Sequence, residues 1–162
     1  MFNSEEEFLR FLNQHGFRYE RLEHPPVFTC SEADVHRPKT PAVATKNLFL
    51  CDKKARRFFL VVTACEKTVD LARLAAQLDV PHLRFGSEQN LLRRLGVTPG
   101  AVTMMALVND TARQVELWVD AEIWPEEYFL SHPLVNTATL VLAKDELLRF
   151  FSLTGHQVHL FA

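Results

Sequence analysis

Three polar features of the sequence carry side chains or backbone groups that could take part in chemistry. Lys46 opens the otherwise apolar run 46–51, where an ammonium group is costly to desolvate unless an anionic or electron-rich partner meets it. Gly100 lies in the turn-rich loop 96–103, and His132 stands just before a β-branched segment. If the fold brings these segments together, they form a small polar cavity with a cation, an imidazole and exposed backbone amides. Such a cavity suits a substrate that has a carbonyl and a phosphate.

Each of these features also has an ordinary structural explanation. Lys46 can lie at a strand edge with its stem on apolar surface and its head in water. Gly96 and Gly100 suit a helix end followed by a turn. His132 can be a surface histidine whose backbone is kept extended by the following proline. Considered one at a time, the lysine and the glycine loop favour these structural explanations, and only the combination argues for a site.

Common catalytic and cofactor motifs are missing from the sequence. It has no G-x-S-x-G elbow, Rossmann fingerprint, P-loop or HExxH motif, which removes the common nucleophilic and metal-dependent hydrolases. The histidines show no metal-ligand spacing, so we expect neither a metal nor a cofactor. Cys30, Cys51 and Cys65 are odd in number and contain no CxxC pair, which predicts reduced thiols in a cytoplasmic protein.

Length and composition predict a single domain that covers residues 1–162. A chain of 162 residues with 48% apolar residues can bury a substantial core. We expect no membrane partner, because the sequence shows no signal-peptide pattern and no apolar run of the roughly 18 residues that a span requires. With a net charge of −2, nucleic acid would have to bind a local basic patch. A candidate patch is the turn with Lys53, Lys54, Arg56 and Arg57, although solvated hairpin tips often have this composition.

Hydrophobic periodicity and capping residues predict an α/β (α+β) fold with a mixed sheet covered by helices. Ser4, Asp70 and Asp145 suit helix N-caps, and Gly96 and Gly155 suit helix ends. The predicted helices cover residues 4–15, 71–78, 88–95 and 146–153, and a short helix starts near residue 31. The predicted strands cover residues 17–22, 47–51, 58–63, 104–108, 115–119, 137–142 and 158–161. Residues 37–45 are predicted to form a loop, and residues 120–131 to be irregular or briefly helical. Polar turns after residues 51 and 108 predict hairpins, and therefore largely antiparallel pairing.

Four segments, taken in order, resemble one known family. Residues 24–29, 45–50, 95–103 and 132–139 are similar to the signature blocks of the YbaK and prolyl-tRNA-synthetase-associated editing domains, and most similar to the freestanding branch that deacylates Ala-tRNA(Pro). The resemblance implies a largely antiparallel sheet that curls toward a partial barrel surrounded by helices. It also implies hydrolysis of the ester between a wrong amino acid and the 3′-terminal adenosine of tRNA, which supplies selectivity that a synthetase pocket lacks against smaller side chains.

The resemblance assigns roles to individual residues. Lys46 matches the family's essential lysine and Asn47 its neighbour in the substrate pocket. Gly100 falls in the loop that lines the ester, and His132 matches the histidine of the His-Pro-Leu block. A lysine in this role anchors a phosphate or ribose rather than acting as a base, backbone amides near Gly100 hold the carbonyl, and a positioned water attacks. Further predicted substrate contacts in the matching blocks are Thr29, Thr98, Ala101 and Asn136.

The implied partner is mischarged tRNA, with prolyl-tRNA synthetase and an elongation factor as candidate protein partners. Relatives tend to carry an aromatic residue and a glycine after the loop, whereas this sequence has Met104, Met105 and Ala106. This difference brings the alanine preference into question and leaves cysteine or serine as alternative substrates. A non-catalytic module that binds tRNA acceptor ends or a synthetase is the other alternative. A regulatory nucleic-acid-binding protein is disfavoured by the acidic balance and by the lack of a recognition helix.

Overall fold

The computed structural model of the protein describes residues 1–38 and 41–162. The helices are α1 (Glu5–Gln14), α2 (Cys30–Asp34), α3 (Leu71–Gln77), α4 (Glu88–Leu95) and α5 (Lys144–Thr154), with 3₁₀ segments at Pro99–Ala101 and Met104–Asn109. The strands are β1 (Glu20–Glu23), β2 (Thr45–Asp52), β3 (Phe58–Ala64), β4 (Leu83–Phe85), β5 (Val115–Asp120), β6 (Tyr128–Ser131), β7 (Ala138–Ala143) and β8 (Val158–Phe161).

The strands form two sheets that meet at one joint. The larger sheet has the order β4-β2-β3-β5-β8, in which β2 is antiparallel to β3 and β4 while β5 is parallel to β3 and β8. The smaller sheet, β1-β7-β6, is antiparallel throughout. Val43 joins the two sheets, because its N–H donates to the Tyr128 carbonyl and its carbonyl accepts from Leu130 N–H, each at 2.9 Å. This mixed α/β architecture confirms the predicted fold class, and the sheets do not close into a barrel.

Both faces of the larger sheet are buried, which fixes the direction of every side chain on β2. One face holds Phe49 and Cys51 in the main core, beneath α1, α4 and α5. The other face holds Leu50, against which Leu48 packs, in a second core under α3. Successive side chains of a strand point to opposite faces. Lys46 therefore belongs to the α3 face and Asn47 to the main-core face.

Side-chain caps account for the helix boundaries that the sequence predicted well. Ser4 Oγ accepts the Glu7 N–H at 3.2 Å, and Asp70 accepts the N–H groups at the start of α3. Gly96 ends α4 in the left-handed conformation, as predicted. The predicted cap at Asp145 is wrong, because α5 starts at Lys144 and Asp145 lies in its first turn, where a carboxylate still complements the helix dipole.

Two strand predictions are wrong. Residues 104–108 form a 3₁₀ helix instead of a strand, so no hairpin connects them to β5, which pairs in parallel with β3 and β8. This segment is apolar on all sides and buried, and it therefore lacks the alternation that separates strand from helix. Thr103 Oγ1 accepts the Met105 N–H at 3.2 Å and so starts the helix. The structure also forms β6 inside 120–131, where the sequence predicted no strand.

Candidate functional site

A pocket of about 140 Å³ opens between α2 and the smaller sheet, at the joint of the two sheets. Cavities of roughly 150 Å³ hold a molecule the size of benzene, so this pocket suits a small organic group. α2 and the residues after it provide one wall, and β2, β6 and β7 provide the rest. The lining residues are Cys30, Ser31, Ala33, Asp34, His36, Arg37, Pro38, Ala44, Thr45, Asn47, Cys65, Glu66, Leu130, Ser131, His132 and Thr139.

Asn47 lines this pocket and carries an unpaired hydrogen-bond acceptor. Its Oδ1 atom is buried and has no hydrogen-bond partner within the described part of the chain. Thr45, two residues earlier on the same face, is already satisfied because its hydroxyl donates to the Leu130 carbonyl at 2.8 Å. A buried acceptor without a donor costs roughly 1–3 kcal/mol. Asn47 is therefore a candidate partner for a hydrogen-bond donor on a ligand.

His132 brings a second acceptor, whose tautomer the fold sets. Its Nδ1 lies 2.9 Å from the Ala138 carbonyl, which can only accept, so Nδ1 carries the proton and Nε2 keeps its lone pair. Burial lowers the pKa of His132, the Ala138 hydrogen bond partly opposes this, and the nearby His24 lowers the pKa further. The imidazole is therefore neutral at neutral pH and can accept a proton through Nε2.

His24 packs against His132 and is not among the described residues that line the pocket. The two rings pack edge to face with centroids 6.3 Å apart, and His36 stacks on the other side of His24 at 5.4 Å. His24 Nε2 lies 2.8 Å from Thr139 Oγ1, and its Nδ1 lies 2.9 Å from the Pro25 carbonyl. A second imidazole so close makes a positive charge on His132 unfavourable.

The charged side chains of the lining are mostly acidic. Asp34 pairs with Arg37 at 3.5 Å, and Arg37 also donates to the Ala42 carbonyl at 3.1 Å. Glu66 adds a second carboxylate to the lining. Among the described residues, no group of three or more His, Cys, Asp or Glu side chains is arranged to hold a metal ion. The pocket thus combines two carboxylates and one guanidinium with the acceptors of Asn47 and His132.

Lys46 lies outside the described lining of this pocket. It pairs across β2 and β3 with Thr63, and directly opposed residues of an antiparallel pair share a face. On that face the buried Asp120 accepts from the Thr63 hydroxyl at 2.7 Å and from Lys67 Nζ at 2.8 Å. The predicted lysine and its predicted neighbour Asn47 therefore project to opposite sides of the larger sheet.

The Gly100 loop borders the pocket without lining it, as far as the described residues show. A Cβ atom at Gly100 would lie 3.1 Å from the Phe28 ring, so this ring rests on the glycine. The Ala101 N–H donates to the Thr98 carbonyl at 2.9 Å, and Ala101 is buried in the core. The Asn136 amide donates to the Val27 carbonyl at 3.1 Å and holds the strand-like segment before α2.

Thr29 has a structural contact of its own. Its hydroxyl accepts the Glu32 N–H at 3.1 Å, while the Glu32 carboxylate accepts the Thr29 N–H at 3.3 Å, which is a complete capping box for α2. The three residues Met104, Met105 and Ala106 are buried in the main core, and none is among the described lining residues. They therefore fill the core and do not narrow this pocket.

The basic turn lies at the far end of the β2–β3 hairpin from the pocket. Thr45 and Cys65 line the pocket at one end of the hairpin, and Lys53, Lys54 and Arg56 are exposed at the other. Arg57 is engaged within the protein, since it binds Glu116 at 2.9 Å and the Leu78 carbonyl at 3.2 Å. Contact of this turn with a nucleic acid stays a prediction, and it would be a contact away from the pocket.

The predicted reduced state of all three cysteines is wrong. Cys30 and Cys65 form a disulfide bond with their Cα atoms 5.8 Å apart, and Cys51 is the free, buried thiol. Burial raises the pKa of Cys51, which keeps that thiol protonated and unreactive. The two bonded residues are 35 positions apart in the sequence, so no local spacing signals the pair. The bond attaches the pocket wall at α2 to the end of β3.

Most of the chain matches one known protein family. Residues 24–150 match the sequence model of the aminoacyl-tRNA editing domain, a span that includes the whole pocket and most of the chain. The chain belongs to the aminoacyl-tRNA editing domain family. No helix in the described ranges of this editing domain has both the length and the apolar character to cross a membrane.

Individual relatives cover nearly the whole editing domain. Prolyl-tRNA synthetase associated domain-containing protein 1 of Danio rerio is 40% identical over 153 residues, which cover 93% of this chain and 81% of that protein. Prolyl-tRNA editing protein ProX of Acetoanaerobium sticklandii is 32% identical over 145 residues, with 90% and 88% covered. The solved structure of hypothetical protein APE2540 shares the fold, with a TM-score of 0.72 at 19% identity and coverage of 96% and 97%.

The disulfide generates a prediction about stability. Because Cys30 and Cys65 close a long loop, reduction should lower the free energy of unfolding by roughly 2–4 kcal/mol. Thermal or urea unfolding with and without a dithiol reductant measures this loss. Thiol titration of the denatured protein should find one thiol before reduction and three afterwards. Cys30→Ser should already have the lower stability and respond no further to reductant, and three thiols in the unreduced protein would refute the bond.

Proposed function

We propose that this editing domain hydrolyses the ester bond of mischarged tRNA(Pro), with Ala-tRNA(Pro) as its preferred substrate. The observation that carries the proposal is the buried, unpaired Asn47 Oδ1 beside the neutral His132 in one small pocket. Family membership and the relative named prolyl-tRNA editing protein ProX support the same substrate class. Such an enzyme acts wherever tRNA is charged, which for this protein we take to be the cytoplasm, in cooperation with prolyl-tRNA synthetase.

The acceptors of the pocket match the α-ammonium group of an aminoacyl ester. An ammonium has three N–H donors and no acceptor. In the proposed complex one N–H donates to Asn47 Oδ1, and the Glu66 carboxylate attracts the positive charge from the pocket edge. A free carboxylate ligand would find mainly acceptors and acidic groups here. This arrangement favours an esterified amino acid, whose own carboxylate is masked, over the free amino acid product.

His132 serves as the general base in this proposal. A water molecule attacks the ester carbonyl carbon and gives a proton to His132 Nε2. The bond between the carbonyl carbon and the ribose oxygen then breaks, and the leaving oxygen takes the proton back from the imidazolium. The products are the free amino acid and a tRNA with a free 3′-terminal ribose. The lowered pKa leaves the imidazole neutral and therefore available as a proton acceptor near neutral pH, and it makes the imidazolium a ready proton donor.

The size of the pocket favours a small side chain. The cavity has a volume of only about 140 Å³, even though the small residues Ala33 and Ala44 are part of its lining. Discrimination by size alone is modest, on the order of 10–200-fold per methylene group. We therefore expect alanine first, serine and cysteine as weaker substrates, and proline excluded. Gly100 and Asn136 enter the proposal as groups that shape the loop beside the pocket, and Thr29, Thr98 and Ala101 as its backbone supports.

A deacylation panel tests this function directly. Purified protein is incubated with Ala-, Ser-, Cys- and Pro-tRNA(Pro), and loss of the aminoacyl ester is followed over time. We expect fastest loss from Ala-tRNA(Pro) and no loss from Pro-tRNA(Pro) beyond spontaneous hydrolysis. Tight, salt-sensitive binding of these tRNAs with no turnover of any of them would instead identify a binding module without catalysis.

The pH dependence of the reaction tests His132. Because only the neutral imidazole can accept the proton, kcat should fall as the pH drops through the pKa of His132, which lies below the ordinary value of about 6.5. His132→Ala should lose about 10²–10⁴-fold in kcat and lose this acid limb. His82→Ala removes an exposed histidine and should keep the wild-type kcat and the acid limb of the pH profile. An unchanged acid limb in the His132 variant would exclude it as the base.

We assign Lys46 to a phosphate of the tRNA 3′ strand. Its position on the α3 face keeps it away from Asn47 and from the ester. A strand that enters the pocket passes close to the start of β2, where a lysine head can meet a phosphate from outside. In this role the ammonium supplies binding energy and register rather than stabilising the reacting atoms.

Salt dependence distinguishes this anchor from a group at the ester. Lys46→Ala should raise KM about tenfold with little change in kcat, and should reduce the slope of log(kcat/KM) against log[salt] by about 0.7–0.9. Arg18→Ala, which removes an exposed positive charge elsewhere, should leave the slope unchanged. A large loss of kcat with an unchanged slope would place Lys46 at the reacting ester instead.

A further inference from the structure

Phe28 exposes an aromatic ring beside the pocket on a backbone that is firmly held. The side chain is 73% exposed, the largest exposed fraction of any aromatic residue in the described chain. Its N–H donates to Glu32 at 2.6 Å, and the preceding Val27 N–H donates to the Asn136 carbonyl at 3.3 Å. Water around a fixed, exposed ring is released when a ligand covers it. The ring is therefore preorganised for contact and not merely a mobile surface side chain.

The Phe28 ring packs directly against the backbone of Gly100. A Cβ atom there would lie 3.1 Å and 3.2 Å from two carbons of the Phe28 ring, which is closer than ordinary van der Waals contact. The missing side chain of glycine lets the ring lie this close to the loop. One side of the ring is thus supported by backbone, while its high exposure leaves the other side open. An added Cβ at position 100 would therefore push the ring away by a few tenths of an ångström.

The platform of Phe28 and Gly100 lies next to the pocket. Cys30, two residues after Phe28, lines the pocket and is bonded to Cys65, which also lines it. A substrate whose small acyl group enters the pocket must leave the remainder of the molecule at the rim. In an aminoacyl-tRNA the parts nearest the ester are a ribose and then planar bases in an unpaired strand. Such bases stack on exposed aromatic rings irrespective of sequence.

We infer that Phe28, seated on Gly100, is a stacking subsite for an unpaired base at the 3′ end of tRNA. The inference rests on the proposed function for the identity of the ligand, and it adds a binding site outside the reaction pocket. Stacking on Phe28 would hold the end of the strand at the rim while the aminoacyl group occupies the pocket. The subsite recognises the planar face of a base, and it contributes affinity for nucleic acid rather than selectivity among amino acids.

Binding of an RNA that carries no aminoacyl ester tests the subsite separately from the reaction. The probe is a single-stranded RNA oligonucleotide that ends in C-C and a 2-aminopurine nucleotide, whose fluorescence is quenched when its base stacks. Wild-type protein should quench the probe. Phe28→Leu, which keeps an apolar side chain without a ring, should raise Kd about tenfold and remove the quenching. Phe28→Tyr should restore both.

Two further variants sharpen the outcome. Gly100→Ala should displace the ring and weaken quenching, because its Cβ would press on Phe28. Phe85→Leu is the matched control, since Phe85 is 60% exposed but lies on β4 beside the far end of β2 from the pocket. It should bind the probe as wild type does. Equal binding and quenching by Phe28→Leu and wild-type protein would overturn the inference, as would an equal loss in Phe85→Leu.

The two proposals fail in different ways. Phe28-dependent quenching by a protein that deacylates nothing in the tRNA panel would support the subsite and refute the hydrolysis. Efficient deacylation with the same KM in Phe28→Leu and wild-type protein would support the hydrolysis and refute the subsite. If both hold, Phe28→Leu should raise KM for Ala-tRNA(Pro) by about the factor seen in Kd for the RNA probe, with kcat nearly unchanged.

Discussion

The joint between the two sheets determines where the reactive groups of the pocket lie. Val43 exchanges backbone hydrogen bonds with β6, and the Thr45 hydroxyl donates to the Leu130 carbonyl at 2.8 Å. The chain runs parallel in these two segments at the joint. Asn47 follows Thr45 by two residues, and His132 follows Leu130 by two. A side chain two positions along an extended chain returns to the same face, so the joint delivers both acceptors to one pocket.

Burial then gives these two acceptors their chemical character. Removal from water lowers the pKa of His132, and the adjacent His24 lowers it further, so the ring stays neutral with Nε2 as its unprotonated nitrogen. The same removal from water leaves Asn47 Oδ1 without a donor. Buried acceptors without a hydrogen-bond partner are uncommon in native structures. In the proposed complex, hydrogen-bond donors of the substrate would pair with Asn47 Oδ1 and His132 Nε2.

Sequence reasoning succeeded where local chemistry determines structure and failed where distant packing does. Ser4 and Asp70 cap helices because capping is a contact within three residues. Residues 104–108 were misassigned because burial on all sides removes the periodic signal. Asn47 and His132, which the resemblance grouped, both line the pocket, and their functional roles stay predictions. The family resemblance placed Lys46 and Asn47 in one substrate site. Successive side chains of a strand point to opposite faces, so strand alternation alone predicts that these two side chains lie on opposite sides of the sheet.

The pocket wall at α2 is held differently from the rest of the fold. α2 has five residues and none is buried, so hydrophobic burial contributes little to its position. Its attachments are instead directional: the bond from Cys30 to Cys65, the stacking of His36 on His24, and the clamp of Asn136 on the preceding segment. Local stability is lowest where few apolar contacts hold a segment. The wall at α2 is therefore expected to have the lowest local stability around the pocket, and the disulfide is the covalent bond that ties it to the end of β3.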